Sequence, residues 1–169
     1  MSRRLAALLG AVCLLLLGLG SAIAVGHGDG DDRGKSRGLF ADLNGRNELD
    51  PMTFQRGAGD PDGFGSASVT FDGGQVCFGI TVANIDTPVA AHIHRGRKFE
   101  NGPVVVPLTQ PSPGDPGASS DCTAVADELA AEIQANPRGF YVNVHTEAFP
   151  DGAVRGQLKR LGHHHEDDD

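Results

Sequence analysis

The chain has 169 residues, a formal net charge of −8, 24 glycines and 10 prolines. This length suits one domain with a core of its own, and the glycine and proline content favours a turn-rich all-β fold over a helical bundle. The acidic charge argues against nucleic acid as a partner, because nucleic-acid binding depends on neutralising phosphates with lysine and arginine.

The first 24 residues have the pattern of a secretory signal peptide. The basic pair Arg3 and Arg4 precedes an apolar run at residues 5–19, and residues 22–24 form an A-x-A cleavage site. The apolar run is short for a membrane anchor, which needs about 20 residues. We therefore expect a secreted, extracellular protein that does not span a membrane after cleavage. Its net charge becomes −10, because cleavage removes two arginines and no acid.

Two charged, polar segments flank the expected domain. Residues 25–37 are rich in Gly and Asp and have almost no large apolar side chain, which is typical of a disordered leader. Residues 162–169 contain three histidines followed by four acids, a tail that we expect to be disordered and that binds metals loosely at most. A single folded domain at residues 38–161 remains.

Cys77 and Cys122 are the two cysteines that remain after signal cleavage. An even number of cysteines in an oxidising compartment indicates one disulfide. The alternative is a pair of thiolate metal ligands, but the spacing is not that of a zinc site. A disulfide here would tether a loop to the outer face of the Cys77 strand.

Alternating apolar residues predict a series of short strands separated by turns. Asp72-Gly73-Gly74 is a strong hairpin signal between two of them. Residues 109–120 are rich in Pro, Gly and Ser and predict a loop. The expected strands are centred on residues 39–43, 66–71, 75–82, 89–95, 104–108, 140–146 and 154–159.

One short amphipathic helix is expected before the penultimate strand. Val125, Leu129 and Ile133 recur every four residues, so that they share one helical face. Thr123 or Asp121 is a candidate N-cap, and Asn136-Pro137 ends the pattern.

Three histidines fall on non-core faces of two predicted strands. In a strand, side chains alternate between faces, so His92 and His94 share one face while Ala91 and Ile93 point to the core. The same alternation places Tyr141, Asn143 and His145 opposite the apolar residues 140, 142 and 144. Both strands therefore combine an apolar face with a face that carries imidazoles.

Two imidazoles at positions i and i+2 lie about 6.5–7 Å apart at Cα, close enough to chelate one ion with a third ligand from a neighbouring strand. Three nitrogen donors suit copper, with zinc as the alternative, and His92, His94 and His145 are the candidate ligands. The competing interpretation is that they are surface histidines bonded to carbonyls or carboxylates.

Other polar residues are candidates for supporting the histidines. Tyr141 and Asn143 share the face of His145, where such residues orient metal ligands. Arg155 and Gln157 lie on the outward face of the last strand and are candidates for ordering the neighbouring loop. All four also fit as ordinary residues of a sheet surface.

Three segments resemble, in the same order, the chordin domain (CHRD) family: VAAHIHRG, NGPVVVPL and NPRGFYVNVHTEAFPDGAVRGQL. The resemblance covers about residues 39–161 and implies an all-β sandwich or barrel in an exported protein. The chain departs from the family at Phe99, in a loop where members often carry a second glycine. Chordin itself is a binding protein, so the resemblance implies a binding module.

A more distant resemblance links the chain to copper-zinc superoxide dismutase. The shared features are an H-x-H pair on one strand, a later single histidine that ends a V-x-V-H strand, and one disulfide. They imply a Greek-key-like antiparallel sandwich or barrel whose copper ligands project outward. The chain has no counterpart of the zinc-loop histidines, so a mononuclear copper site is all that this resemblance implies.

These patterns favour a non-catalytic extracellular binding module with a three-histidine metal site. The partner is an unidentified extracellular ligand or protein. A purely structural or protein-interaction domain without metal is one alternative, and a copper-dependent redox protein is another. A hydrolase is not indicated, since neither G-x-S-x-G nor H-E-x-x-H occurs, and no catalytic residue is assigned.

Overall fold

The computed structural model describes residues 38–161. The expected signal peptide, leader and acidic tail lie outside these residues. Among residues 38–161, no helix has the length and apolar character needed to cross a bilayer.

Nine strands and one α-helix make up the described part of the chain. Short 3-10 turns at Gly45–Asn47 and Pro137–Gly139 follow the first strand and the helix. In chain order the elements are β1 Leu39–Asn44, β2 Phe64–Asp72, β3 Gln75–Ala83, β4 Pro88–Arg95, β5 Val104–Leu108, β6 Gly117–Ala124, α1 Asp127–Ala135, β7 Phe140–Thr146, β8 Val154–Gln157 and β9 Lys159–Arg160.

The strands form one antiparallel sheet in the order β5-β4-β7-β8-β1-β2-β3-β6, with β9 also paired to β1. The two outer strands approach each other, since Ser119 Oγ donates a hydrogen bond to the Thr109 carbonyl at 2.9 Å. The sheet is therefore a nearly closed barrel. After β3 the chain forms the hairpin of β4 and β5 at the other end of the sheet, and it then returns so that β6 pairs with β3. This connection is Greek-key-like. The predicted fold class is confirmed.

The core lies inside this barrel and is built by strand alternation. Every second residue is buried in β3 and, from Ala67 onwards, in β2, and Gly73 and Gly74 adopt the positive φ angles of 51° and 80° that their tight turn requires. On the histidine strands, the predicted core face is confirmed. Its buried residues are Ala91, Ile93, Phe140, Val142 and Val144.

Strand β6 was not expected from the sequence. Part of it was assigned to a loop, because Gly117–Ala124 has no large apolar residue and most of its side chains are at least partly exposed. Backbone pairing with β3 along eight residue pairs holds it in the sheet instead. Cys77 lies directly opposite Cys122 in this ladder, and the two form the predicted disulfide. The disulfide therefore joins two strands and does not tether a loop.

The helix ends as predicted, at the residue before Asn136, but it begins later than expected. Its N-cap is Ala126, which offers no capping side chain, and both expected caps, Asp121 and Thr123, belong to β6. Ala130 and Ile133 bury the apolar face. The expected last strand is also divided: Leu158 leaves the ladder, and its backbone N–H donates to the Phe140 carbonyl at 2.9 Å.

Candidate metal centre

The three histidines come together because β4 and β7 are hydrogen-bonded neighbours. In their register His92 faces Asn143, His94 faces Tyr141, and Ala90 faces His145. Residues that face each other in an antiparallel pair project to the same side of the sheet. All three imidazoles therefore lie on the outer side of the barrel wall, with His145 diagonal to His92.

The imidazoles form a cluster small enough for one ion. Each residue offers a ring nitrogen, and the three nitrogens lie within 4.8 Å of one another. His92 Nδ1 and His145 Nε2 are 3.1 Å apart. The centroid of the His92 ring is 5.6 Å from that of the His94 ring and 5.0 Å from that of the His145 ring. The three nitrogen atoms are therefore close enough to one another to bind the same metal ion.

Backbone carbonyls determine the tautomers of two of the rings. His94 Nδ1 lies 2.9 Å from the Gly102 carbonyl oxygen, and His145 Nδ1 lies 2.9 Å from the Pro150 carbonyl oxygen. A carbonyl only accepts hydrogen bonds, so each Nδ1 carries the proton and each Nε2 keeps its lone pair. His94 Nε2 is also buried without a hydrogen-bond partner among the described residues. An outer carbonyl of this kind is typical of metal-binding histidines.

Burial keeps the imidazoles neutral. Burial, together with the neighbouring His145 and His94, lowers the pKa of His92 to about 4. Burial also lowers the pKa of His94 and of His145, although each gains a backbone hydrogen bond that acts in the opposite direction. A metal ion competes with protons for these lone pairs, so neutral rings near pH 7 are ready to bind one.

Tyr141 and Arg155 form a stack behind His94. The Tyr141 and His94 rings are nearly parallel, with centroids 4.8 Å apart, and the Arg155 guanidinium carbon lies 3.4 Å from the Tyr141 centroid. The Tyr141 hydroxyl accepts a hydrogen bond from the Gly102 backbone N–H at 3.3 Å. Tyr141 thus contacts both the His94 ring and the residue whose carbonyl orients it.

The loop at residues 96–102 is held by two side chains of β8. Arg155 donates to the Asn101 side-chain oxygen at 2.9 Å and to the Glu100 and Arg97 carbonyls. The Gln157 amide lies 2.8 Å from the Gly96 carbonyl. Since Gly102 closes this loop, these contacts place the carbonyl that His94 uses.

Asn143 contacts the second orienting turn. Its side-chain amide donates to the Asp151 carbonyl at 3.4 Å, next to the Pro150 carbonyl that holds His145. Asn143 is 2% exposed, and its side-chain oxygen has no partner among residues 38–161. Tyr141, Asn143 and Arg155 therefore all lie around the histidines, buried beneath loops and not on an open sheet surface.

Sequence reasoning missed the two orienting carbonyls and Glu48. At Gly102, a side chain would overlap the Arg95 carbonyl, so this position requires glycine. The glycine in the Asn101-Gly102-Pro103 turn was therefore a sign in the sequence that the backbone packs closely here. Glu48 follows the first 3-10 turn in an irregular segment that carries no strand or helix pattern. It is 3% exposed, and burial raises its pKa to about 8, despite the opposing effect of Arg155.

The comparisons with known proteins identify a family for the chain. The family model of the CHRD domain matches residues 39–158, which is most of the chain and nearly all of the described residues. No curated protein and no solved structure matches the chain. CHRD domains are extracellular binding modules. With the matched segment covering strands β1 to β8 and all three histidines, the protein belongs to the CHRD domain family.

Proposed function

We propose that the protein is an exported binding module that holds one copper ion through His92, His94 and His145, with zinc as the alternative metal. The observation that carries this proposal is the pair of carbonyl contacts on His94 and His145. These contacts leave a lone pair on each Nε2, and that of His145 lies 3.1 Å from His92 Nδ1. Without an ion, the contact between His92 Nδ1 and His145 Nε2 is favourable only when a proton lies between these two nitrogens.

The donor set favours copper. The cluster consists of imidazoles alone, with neither a carboxylate nor a thiolate among its residues. Neutral nitrogen donors suit Cu(II) and Zn(II), and Cu(II) binds more tightly to a given site of this type. Three protein ligands leave a coordination position for a further group, so the site can attach an external ligand to the protein through the metal. Tyr141, Asn143 and Arg155 orient the ligands and take no part as donors.

The test is a titration of the exported chain with Cu(II) and with Zn(II), followed by calorimetry and by electron paramagnetic resonance of the copper form. His27, His163, His164 and His165 are replaced by alanine in every sample, because a histidine third from a free N-terminus chelates Cu(II) together with the amine, and because the tail can bind metal by itself. We expect one tight equivalent of copper with a nitrogen-coordinated spectrum. His92→Ala and His145→Ala are each expected to weaken binding by at least about 100-fold.

Glu147→Ala is the matched control, since it removes an exposed carboxylate two residues from His145 and no residue of the cluster. It is expected to leave the affinity unchanged. The metal proposal is wrong if Glu147→Ala and His92→Ala weaken binding equally, or if the unsubstituted cluster binds copper no more tightly than the His92→Ala and His145→Ala variants. The domain would then be a structural or protein-interaction module without metal.

If copper binds, the same samples test the redox alternative. A copper ion that cycles between Cu(II) and Cu(I) under ascorbate and oxygen would extend the proposal to a redox protein. A copper ion that stays Cu(II) would keep it a binding module.

A further inference from the structure

A second site lies on the barrel, on the far side of Arg155 from the histidines. It is a cleft of about 250 Å³, here called the basic cleft, between β8, β9 and the loop at residues 96–102. Arg155 lies in its wall and also contacts the Tyr141 ring, so the two sites share one side chain. The residues of its lining used below are Asp42, Arg56, Lys98, Phe99, Arg155 and Lys159.

The basic cleft concentrates positive charge on an acidic protein. Four of its lining residues are cations, against one acid, whereas the chain as a whole has a net charge of −8. The acid, Asp42, is already paired with Lys159. Within residues 38–161, no carboxylate lies within ion-pair distance of Arg56, Lys98 or Arg155. Three cations of the cleft therefore have no ion pair with a carboxylate of the described residues.

The nearby acids Glu48 and Glu100 act electrostatically on Arg155, but neither forms an ion pair with a cation of the cleft among the described residues. The Glu100 carboxylate accepts a hydrogen bond from the Arg97 backbone N–H at 2.9 Å, which directs it to its own loop. Glu48 is buried, and its raised pKa of about 8 keeps it mostly protonated near neutral pH. The Arg155 guanidinium donates to carbonyl and amide oxygens, so it supplies charge to the cleft. The Arg56 guanidinium donates one hydrogen bond to the Asn47 side-chain oxygen at 3.0 Å and has further N–H groups for a ligand, as does the Lys98 ammonium.

Phe99 provides an apolar surface between the two available cations. Its side chain is 53% exposed, and its ring lies 5.5 Å from the Arg56 guanidinium and 5.1 Å from the Lys98 ammonium. The residue has a φ of 72°, a conformation that side chains other than glycine rarely adopt. A large aromatic residue at such a position, exposed and flanked by cations, is suited to lie against the face of a ligand ring.

We propose that the basic cleft binds a small ring that carries a carboxylate, sulfate or phosphate group. Arg56 and Lys98 bind the anionic group, Arg155 contributes the local field, and Phe99 packs against the ring. The cleft is smaller than the roughly 300–1,000 Å³ of typical drug-sized sites, so it fits one sugar-sized unit, free or at the end of a longer chain. This proposal does not depend on a bound metal.

The test is a titration of the exported chain, without added metal, followed by nuclear magnetic resonance of its backbone amides. The probes are glucuronate, glucose 6-phosphate, N-acetylglucosamine 6-sulfate, neutral glucose and inorganic sulfate. At least one ring anion is expected to bind about tenfold more tightly than glucose, with shifts at residues 97–100, and the tightest of the three identifies the anionic group. Arg56→Gln and Lys98→Gln are each expected to weaken that probe about tenfold.

The Phe99→Gly variant tests the contribution of the Phe99 side chain separately from that of the cations. Glycine accepts the φ of 72° without strain, so the variant is expected to fold, to bind the ring anion several-fold more weakly and to bind inorganic sulfate unchanged. Arg138→Gln is the matched charge control, because Arg138 is exposed and lies outside the basic cleft. The proposal is overturned if glucose binds as tightly as the ring anions, or if Arg138→Gln weakens binding as much as Lys98→Gln.

Discussion

At the scale of single residues, alternation along two strands identified the histidines, but their chemistry depends on atoms from elsewhere. His94 and His145 are oriented by carbonyls of loops, and no pattern of side chains in the sequence marks a carbonyl that accepts such a bond. Glu48 shows the same limit. Nothing in its local sequence predicts that the acid is 3% exposed, because its cover comes from distant segments around Asp151 and Arg155.

Glu48 leads to a prediction about pH and stability. Its pKa rises from about 4.5 to about 8 on folding, mainly through burial, so the folded state keeps a proton that the unfolded state loses. The stabilisation from this protonated form is complete below pH 4.5 and is lost as the pH rises through about 8. At 1.36 kcal/mol per pKa unit, the loss is about 5 kcal/mol as an upper bound.

Urea unfolding of the wild-type chain and of Glu48→Gln at several pH values between 5 and 8.5 measures this loss as the difference between the two. The difference is needed because the lowered pKa values of His92, His94 and His145 make stability rise with pH in the lower part of this range. The stability of the wild-type chain relative to Glu48→Gln is expected to fall with pH, since the amide cannot ionise, and Glu128→Gln, on the exposed face of α1, is the control that keeps the wild-type dependence. A difference between wild type and Glu48→Gln that stays constant over this range would contradict the assignment of a protonated Glu48.

At the scale of elements, hydrophobic alternation predicted the strands that contribute to the core and failed where a strand has no large apolar residue. Strand β6 belongs to the sheet through backbone hydrogen bonds to β3, which any sequence can make. Its apparent loop composition therefore carried no information about its pairing. The helix start failed for the same reason, because the residues expected to cap α1 are used by β6.

The prediction at this scale concerns the disulfide between β3 and β6. Cys77 and Cys122 are 45 residues apart, and closing such a loop stabilises the folded state by about 4 kcal/mol in the chain-entropy model. Replacing both cysteines by serine is expected to lower the free energy of unfolding by up to this amount. The ladder between β3 and β6 is expected to keep the barrel folded, with an unchanged far-ultraviolet circular dichroism spectrum.

The wild-type chain under a reducing agent is the matched comparison, and it is expected to lose the same stability. The double variant should not respond to the reducing agent. Equal stabilities of wild type and double variant under oxidising conditions would show that the disulfide contributes nothing to folding.

At the scale of the whole molecule, the nearly closed barrel places the histidine strands β4 and β7 beside β8, so that the histidine cluster and the basic cleft lie close together on its outside. We infer export from the pattern of the first 24 residues, together with the disulfide of the domain. Expression in a secreting host is expected to release a chain that begins at Val25, as measured by N-terminal sequencing and intact mass. Retention of residues 1–24 in the cell-associated chain would contradict this.

The sequence by itself determined the family, the all-β class, most strand positions and which residues of β4 and β7 leave the core. These features depend on local alternation and on motifs that are contiguous in the chain. Only the tertiary structure decided the pairing of β6, the burial of Glu48, the carbonyls behind His94 and His145, and the meeting of Arg56 with the loop that carries Phe99. Each of these depends on backbone or side-chain groups that are distant in sequence and become neighbours when the barrel closes.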